Sequence, residues 1–281
     1  MRLISYNTHL FYGTAVPVQY RDKARLDDMI VRLARSDADI VGLCEVWSDH
    51  VKKQIINDLR PYFQDSYFHA TAGTEMGSGL LLLSRYRLSK TAFTKYTNLV
   101  GADALSQKGF YTAVASVPKP EGIVPVFLVL THTQADSSPS DVDARNKNLW
   151  QLASGIQHLP FRGRSMYVMG DFNVCGEIDG IPTPAYNELK KLLAPYGLQD
   201  LCQLIYPSAF EHPLYTYSYY TNSLARYFAP GDKVKQRLDY VFAREVGTAS
   251  TIGFAVPDDW KFTNTSPDDT SDHYPIVVTT P

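Results

Sequence analysis

Short apolar or alternating runs, each long enough for a strand and too short for most helices, punctuate this chain from end to end. They are Leu3–Asn7, Asp39–Val46, Gly79–Ser84, Tyr111–Val117, Val124–His132, Ser165–Gly170, Arg237–Ala243, Ser250–Ala255 and Tyr274–Thr279. Apolar residues at helical spacing predict helices over Arg21–Ser36 (Leu26, Met29, Ile30, Leu33), Asp141–Leu159 (Leu149, Leu152, Ala153, Ile156) and Ala185–Tyr196 (Leu189, Leu192, Leu193, Tyr196). Thr183-Pro184 is a plausible start for the third. Strands outnumber helices, and several follow one another across short loops, so antiparallel pairs must form. The pattern predicts a layered α/β sandwich rather than a regular βαβ alternation. No linker divides the chain, so one domain over residues 1–281 is expected.

Composition narrows the function. The 27 Lys and Arg against 29 Asp and Glu leave a net charge of −2, which does not suit a broad basic face for polyanions. It leaves room for a phosphate held by a metal. The longest apolar runs, Gly79–Leu83 and Ile123–Leu130, fall far below the roughly 20 residues of a membrane-spanning helix. Three cysteines, Cys44, Cys175 and Cys202, sit at no metal-ligand spacing and leave open whether Cys175 and Cys202 pair. Met1 leads straight into Arg2-Leu3-Ile4-Ser5, with no export leader, so a cytosolic protein and a trimmed mature form both remain open.

The informative feature is what stands at the strand ends. Asn7 closes the first run and Glu45 the second; His132 closes Val124–His132; Asp171 and Asn173 follow Met166–Gly170. Asp239 lies inside Arg237-Leu238-Asp239-Tyr240-Val241-Phe242, and Asp272-His273 precede the last strand. Each taken singly reads as a loop carboxylate, a turn former or a hydrogen-bonded histidine. Glu45 and Asp239 are harder to dismiss, because a buried carboxylate needs a cation or donors to stay charged. Carboxylate and amide oxygens without a Cys or His cluster suit a hard divalent cation, Mg²⁺ or Mn²⁺. A histidine held by a carboxylate makes a general base near neutral pH. There is no G-x-S-x-G, so direct attack by water is the economical mechanism.

These residues, in order, resemble the endonuclease/exonuclease/phosphatase superfamily, the DNase I-like fold. The matching pieces are Ser5-Tyr6-Asn7, Glu45, Thr131-His132, Gly170-Asp171-Phe172-Asn173, Arg237-Leu238-Asp239-Tyr240 and Ser271-Asp272-His273. Within it the chain is similar to the neutral, Mg²⁺-dependent sphingomyelinases of sphingomyelinase C type. That likeness is carried by Glu45-Val46-Trp47-Ser48, Gly77-Ser78-Gly79-Leu80, the stretch 101–110, Thr131-His132-Thr133-Gln134-Ala135 and the stretch 221–227. The resemblance implies a four-layered α/β sandwich, two mixed β-sheets flanked by helices. It implies that Glu45 binds the catalytic Mg²⁺ (Mn²⁺ or Co²⁺ as substitutes) with support from Asn7, and that His273, oriented by Asp239, activates water. Asp272 would join that network, Asp171 and Asn173 would position water and phosphate oxygens, and His132 would stabilise the developing charge or the leaving alkoxide. Lys108 is a candidate phosphate contact or a solvated loop lysine.

The implied reaction is hydrolysis of sphingomyelin to ceramide and phosphocholine at a membrane surface, by a monomer, with no nucleic acid partner. A secreted, processed form is favoured, a cytoplasmic one possible. In Tyr215-Thr216-Tyr217-Ser218-Tyr219-Tyr220, a strand would put Tyr215, Tyr217 and Tyr219 on one face, with Tyr217 and Tyr219 as candidate choline contacts or the whole as an ordinary packed strand. Secreted relatives carry an aromatic-tipped hairpin; here Trp260 and Phe262, among aspartates, are the candidates for membrane contact. The alternatives are a nuclease or an inositol-phosphate phosphatase of the same fold, and a catalytically dead binding module. The last would be marked by loss of Glu45, Asp171 or His273, all of which are present.

Overall fold

The computed structural model describes residues 1–71, 76–207 and 214–281. In chain order the elements are β1 (Arg2–Leu10), α1 (Asp22–Arg35), β2 (Ile40–Val46), α2 (Asp49–Leu59), β3 (Asp65–Tyr67), β4 (Leu81–Ser84) and β5 (Leu88–Lys95). Next come β6 (Gly109–Lys119), β7 (Gly122–His132), α3 (Pro139–Gln157), β8 (Met166–Asp171), β9 (Glu177–Ile178), β10 (Ile181–Pro182) and α4 (Pro184–Leu193). The chain closes with β11 (Gln199–Asp200), α5 (Leu201–Ile205), β12 (Tyr217–Ser218), α6 (Ser223–Phe228), β13 (Lys235–Gln236), β14 (Asp239–Arg244), β15 (Gly253–Ala255) and β16 (Ile276–Thr279).

Two six-stranded sheets result, in the orders β15-β16-β1-β2-β4-β3 and β11-β14-β8-β7-β6-β5. Both are mixed: β1 with β2 and β7 with β8 are parallel pairs among antiparallel neighbours. The period of two along each strand sorts the core into layers. Leu3, Ile40, Cys44 and Leu82 of the first sheet meet Ala113, Leu128, Leu130, Met169 and Val241 of the second in the central layer. On the outer face of the first sheet, Ile4, Tyr6, Val41 and Leu43 pack on Leu26, Met29 and Leu33 of α1 and Val51, Ile55 and Leu59 of α2. On the outer face of the second, Phe127, Val129 and Val168 pack on Leu149, Leu152 and Ile156 of α3 and Leu189 and Leu193 of α4. This is the expected four-layered α/β sandwich. The two chain ends meet beside β1, where the Met1 amine donates to Thr280 O and Thr280 N donates to Met1 O (2.8 Å).

The three expected helices form within a few residues of their anticipated limits. A fourth long helix, α2, forms beyond those expected, with Val51, Ile55 and Leu59 repeating at four-residue spacing. Strand β5 also lies outside the expected set, because it is a largely exposed edge with no apolar alternation. All three cysteines are free thiols.

Trp260 and Phe262, the candidates for membrane contact, are both partly buried. Hydrogen bonds from Phe262 N to Asp268 O and from Thr270 N to Trp260 O fold their segment back on itself. Trp260 then meets the Tyr6 ring edge-on at 5.1 Å, and Phe262 lies under the Arg21 guanidinium at 5.1 Å.

Gly42 sets the spacing between the sheets. A Cβ there would stand 2.8 Å from Leu130 Cδ1 and 2.9 Å from Met169 Cε of the facing sheet. Gly42→Val is therefore expected to cost about 1–3 kcal/mol by overpacking. Urea unfolding reads this as a lower midpoint; an unchanged midpoint would show that the sheets part freely there.

Candidate active site

The polar strand ends converge at one edge of the sandwich. Parallel β1 and β2 carry Asn7 and Glu45 there, parallel β7 and β8 carry His132 and Asp171, and antiparallel β14 begins there with Asp239. In register, Asp171 sits between His132 and Asp239 on its two neighbours. Gly170 permits this: a Cβ on it would lie 1.9 Å from Thr131 O, and its φ is +132°. Three non-glycine residues of the site, His9, Glu45 and Asn173, hold positive φ angles of 45°, 59° and 49°. Such conformations cost of order 1–3 kcal/mol each and concentrate at functional sites.

Asn7 ties the sheets together, its Nδ2 donating to Glu45 Oε1 (2.8 Å) and to Asp171 Oδ2 (2.9 Å) across the interface. His132 Nε2 lies 3.8 Å from each of these same oxygens. Asn173 N donates to Asp171 Oδ1 (2.8 Å), and its Nδ2 to Thr133 O (3.2 Å). On the other flank His273 Nδ1 pairs with Asp239 Oδ2 at 2.7 Å, which turns Nε2 toward Asp171 Oδ2 at 4.0 Å. Ser271 Oγ donates to Asn7 O (2.8 Å) and fastens the Asp272-His273 turn to β1. The 221–227 stretch fastens it from outside: Asn222 Nδ2 donates to Ser271 O (2.9 Å) and Ser223 N to Asp269 Oδ2 (2.6 Å).

Burial, with the neighbouring Asp239 charge, holds the Asp171 carboxyl well above the usual carboxylate range. Burial also works against a charged His273, but Asp239, with Asp171 and Asp272 behind it, outweighs that and lifts the imidazole well above its ordinary value. His132 is pushed far the other way by burial and by the charges of Lys108 and His273. Glu45, His132 and Asp171 offer three ligand atoms within 4.8 Å of one another, as do Asp171, Asp239 and His273. Buried Asp239 Oδ1 and His132 Nδ1 have no hydrogen-bond partner. Clustered carboxylates with unspent lone pairs fit a divalent cation in this crevice.

All eight residues anticipated for chemistry and metal binding thus lie in one network. The secondary candidates lie differently. Lys108 is not a solvated loop lysine: it is 2% exposed, and its Nζ is taken by Asp103 Oδ2 (2.8 Å) and Thr133 O (3.1 Å). The tyrosines do not share a strand face, because β12 spans only Tyr217–Ser218. Tyr217 is buried with its ring 5.4 Å from that of His273, Tyr219 turns to Tyr220, and Tyr215 lies under Lys235.

Two residues were missed. His9 Nδ1 stands 3.1 Å from Asp272 Oδ2, and its position two residues after Asn7 was the available signal. Arg25, fully buried, pairs with Asp22 and donates to Thr8 O (3.1 Å), His9 O (2.6 Å) and Thr270 O (2.9 Å). It clamps the end of β1 to the turn bearing Asp272 and His273.

The sequence profile of the Endonuclease/Exonuclease/phosphatase family matches residues 4–273. The chain belongs to this family of phosphoester hydrolases. It is 27% identical over 269 residues to an inositol phosphosphingolipids phospholipase C of Schizosaccharomyces pombe, covering 86% of this chain and 59% of that protein. The chain thus spans a little under two thirds of this relative's length. Sphingomyelinase C from Streptomyces griseocarneus superposes with a TM-score of 0.76 at 20% identity, over 99% of this chain and 98% of the other. A beta toxin variant from Staphylococcus aureus with bound magnesium ions superposes with a TM-score of 0.75 at 20% identity, over 100% and 99%. Both share the fold.

The two imidazoles should titrate far apart in metal-free protein. Histidine ¹H–¹⁵N spectra near pH 7 are expected to show His273 doubly protonated and His132 neutral, with Asp239→Asn bringing His273 down. Because the His273 value is raised on folding, its contribution to stability is complete below the unfolded value near ~6.5 and is lost as pH rises through the folded one. A neutral His273 beside a protonated His132 would refute this electrostatic reading.

Proposed function

We propose that the chain is a metal-dependent phosphodiesterase of phospholipase C type. It cleaves sphingolipid phosphodiesters, sphingomyelin first among them, to ceramide and the phosphorylated headgroup. The observation that carries this is the convergence of Glu45, bridged by Asn7 to Asp171, with a His273–Asp239 pair on the other flank of Asp171. The lipid reading is supported by the name of the Schizosaccharomyces pombe relative and by the near-neutral charge, which offers no broad track for nucleic acid.

The cation, Mg²⁺ with Mn²⁺ or Co²⁺ as substitutes, would be held by Glu45 and supported by Asn7 and Asp272. When bound it polarises a phosphoryl oxygen and offsets charge that develops on it. His273 is the general base: a cation beside Asp171 and Asp272 would offset the carboxylate charges that hold its imidazole protonated in the metal-free protein, leaving Nε2 free to take a proton. Asp239 fixes its Nδ1 at 2.7 Å, so the proton of the attacking water goes to Nε2. Asp171 and Asn173 orient that water and the phosphate oxygens. His132, kept neutral, donates one N–H to the leaving alkoxide or to the phosphoryl charge. Tyr217, against His273, is the first candidate for the headgroup ammonium, with Tyr219 at the following turn.

A panel of sphingomyelin, inositol phosphosphingolipid, phosphatidylcholine and plasmid DNA with Mg²⁺ tests the reading. Hydrolysis of the sphingolipids, stopped by EDTA, is expected; faster cleavage of DNA would overturn the lipid assignment. Glu45→Gln should weaken cation binding and turnover together. His273→Ala should lower turnover by about 10²–10⁴ with calorimetric Mg²⁺ affinity nearly intact. Equal loss of metal binding in both variants would contradict this division of labour.

A further inference from the structure

No step above uses His9, yet its imidazole enters the same cluster. Nδ1 lies 3.1 Å from Asp272 Oδ2 and 3.8 Å from Glu45 Oε2, whereas His132 addresses the other Glu45 oxygen, Oε1. Neighbouring donors on one cation with bonds of about 2.1 Å stand roughly 3.0–3.6 Å apart, so Nδ1 lies at ligand spacing from Asp272 and slightly beyond it from Glu45. The ring is held in place, stacked on Phe228 at 4.3 Å and edge-on to Phe11 at 5.1 Å. The backbone beneath it is held too. Pairing of β1 with β2 slips between Asn7 and Leu10, and Arg25 Nη2 bonds His9 O. Bulges of this kind re-aim side chains beside active sites. The second ring nitrogen, Nε2, is buried without a hydrogen-bond partner. Filling a slot between two phenylalanines asks only for an apolar ring. Asp272 already partners Nδ1, so the same nitrogen that faces the carboxylates is the one placed to exchange a proton for a cation.

We propose that His9 is a nitrogen ligand of the cation held by Glu45, and that it biases the site toward transition-metal ions such as Mn²⁺ and Co²⁺ over Mg²⁺. The inference rests on the reading of this crevice as a cation site. Imidazole favours the later first-row ions, whereas carboxylate and water alone suit Mg²⁺.

Pulsed EPR of Mn²⁺ bound to the full chain reads nitrogen coupling directly, without substrate or turnover. Coupling is expected in the wild type and in His132→Ala, and is expected to vanish in His9→Ala. In calorimetry, His9→Ala should lower Co²⁺ affinity by about tenfold or more while Mg²⁺ affinity changes by less than about threefold. His9→Phe keeps the ring between Phe11 and Phe228 and should behave the same way even where the alanine variant folds poorly. Coupling that survives removal of His9, or equal losses for Co²⁺ and Mg²⁺, would overturn the assignment. Wild-type protein that binds no divalent ion would instead sink the cation reading of the whole site.

Discussion

One side-chain amide holds the two halves of this molecule in working register. Asn7 Nδ2 reaches Glu45 within its own sheet and Asp171 on the facing one. Two carboxylates brought this close without water repel each other and resist ionisation. A shared donor lets them face one another before any cation arrives. The remaining parts are placed relative to that bridge: His132 against the same two oxygens, Asp239 in register with Asp171, and Ser271 hung from the Asn7 carbonyl.

The surroundings absorb the cost of this arrangement. Arg25, drawn fully into the interior, trades its hydration for Asp22 and for backbone carbonyls of β1 and of the turn that bears His273. A buried guanidinium gains little net stability over an apolar side chain, but it fixes geometry because its donors fork in set directions. Gly170 lets β7 and β8 approach where a side chain could not fit, and three residues with positive φ turn their side chains inward. The edge of the sandwich is thus more strained than its centre, where Leu128, Met169 and Val241 pack at ordinary strand spacing.

The fold class was readable because strands buried on both faces and strands buried on one leave different apolar patterns. Those patterns sufficed for two sheets with helices outside. The residues of the crevice were readable because Asn7, Glu45, Asp171, Asp239 and His273 each end or interrupt an apolar run, where chance rarely puts a charge. Other features left no such mark. Arg25 lies within a helix already explained by its apolar neighbours, so its polar atoms looked like ordinary surface, and His9 carried only the weak mark of standing two residues after Asn7. The tyrosine stretch looked like a strand because alternation is visible in sequence, whereas the turn that ends β12 after Ser218 depends on Asn222 capping the next helix. The contacts of Trp260 with Tyr6 and Arg32 were not legible because those partners lie over two hundred positions away.

The meeting of Met1 with Thr280 lies at the start of β1, while the reactive cluster lies toward that strand's far end, roughly 20 Å away along its rise. The hairpin joining β6 to β7 turns at the same remote end, since β7 runs from Gly122 toward His132. Lengthening the chain at Pro120-Glu121 would therefore leave the strand ends that carry the reactive cluster untouched. A fluorescent or affinity insert placed in that turn would hang clear of the crevice.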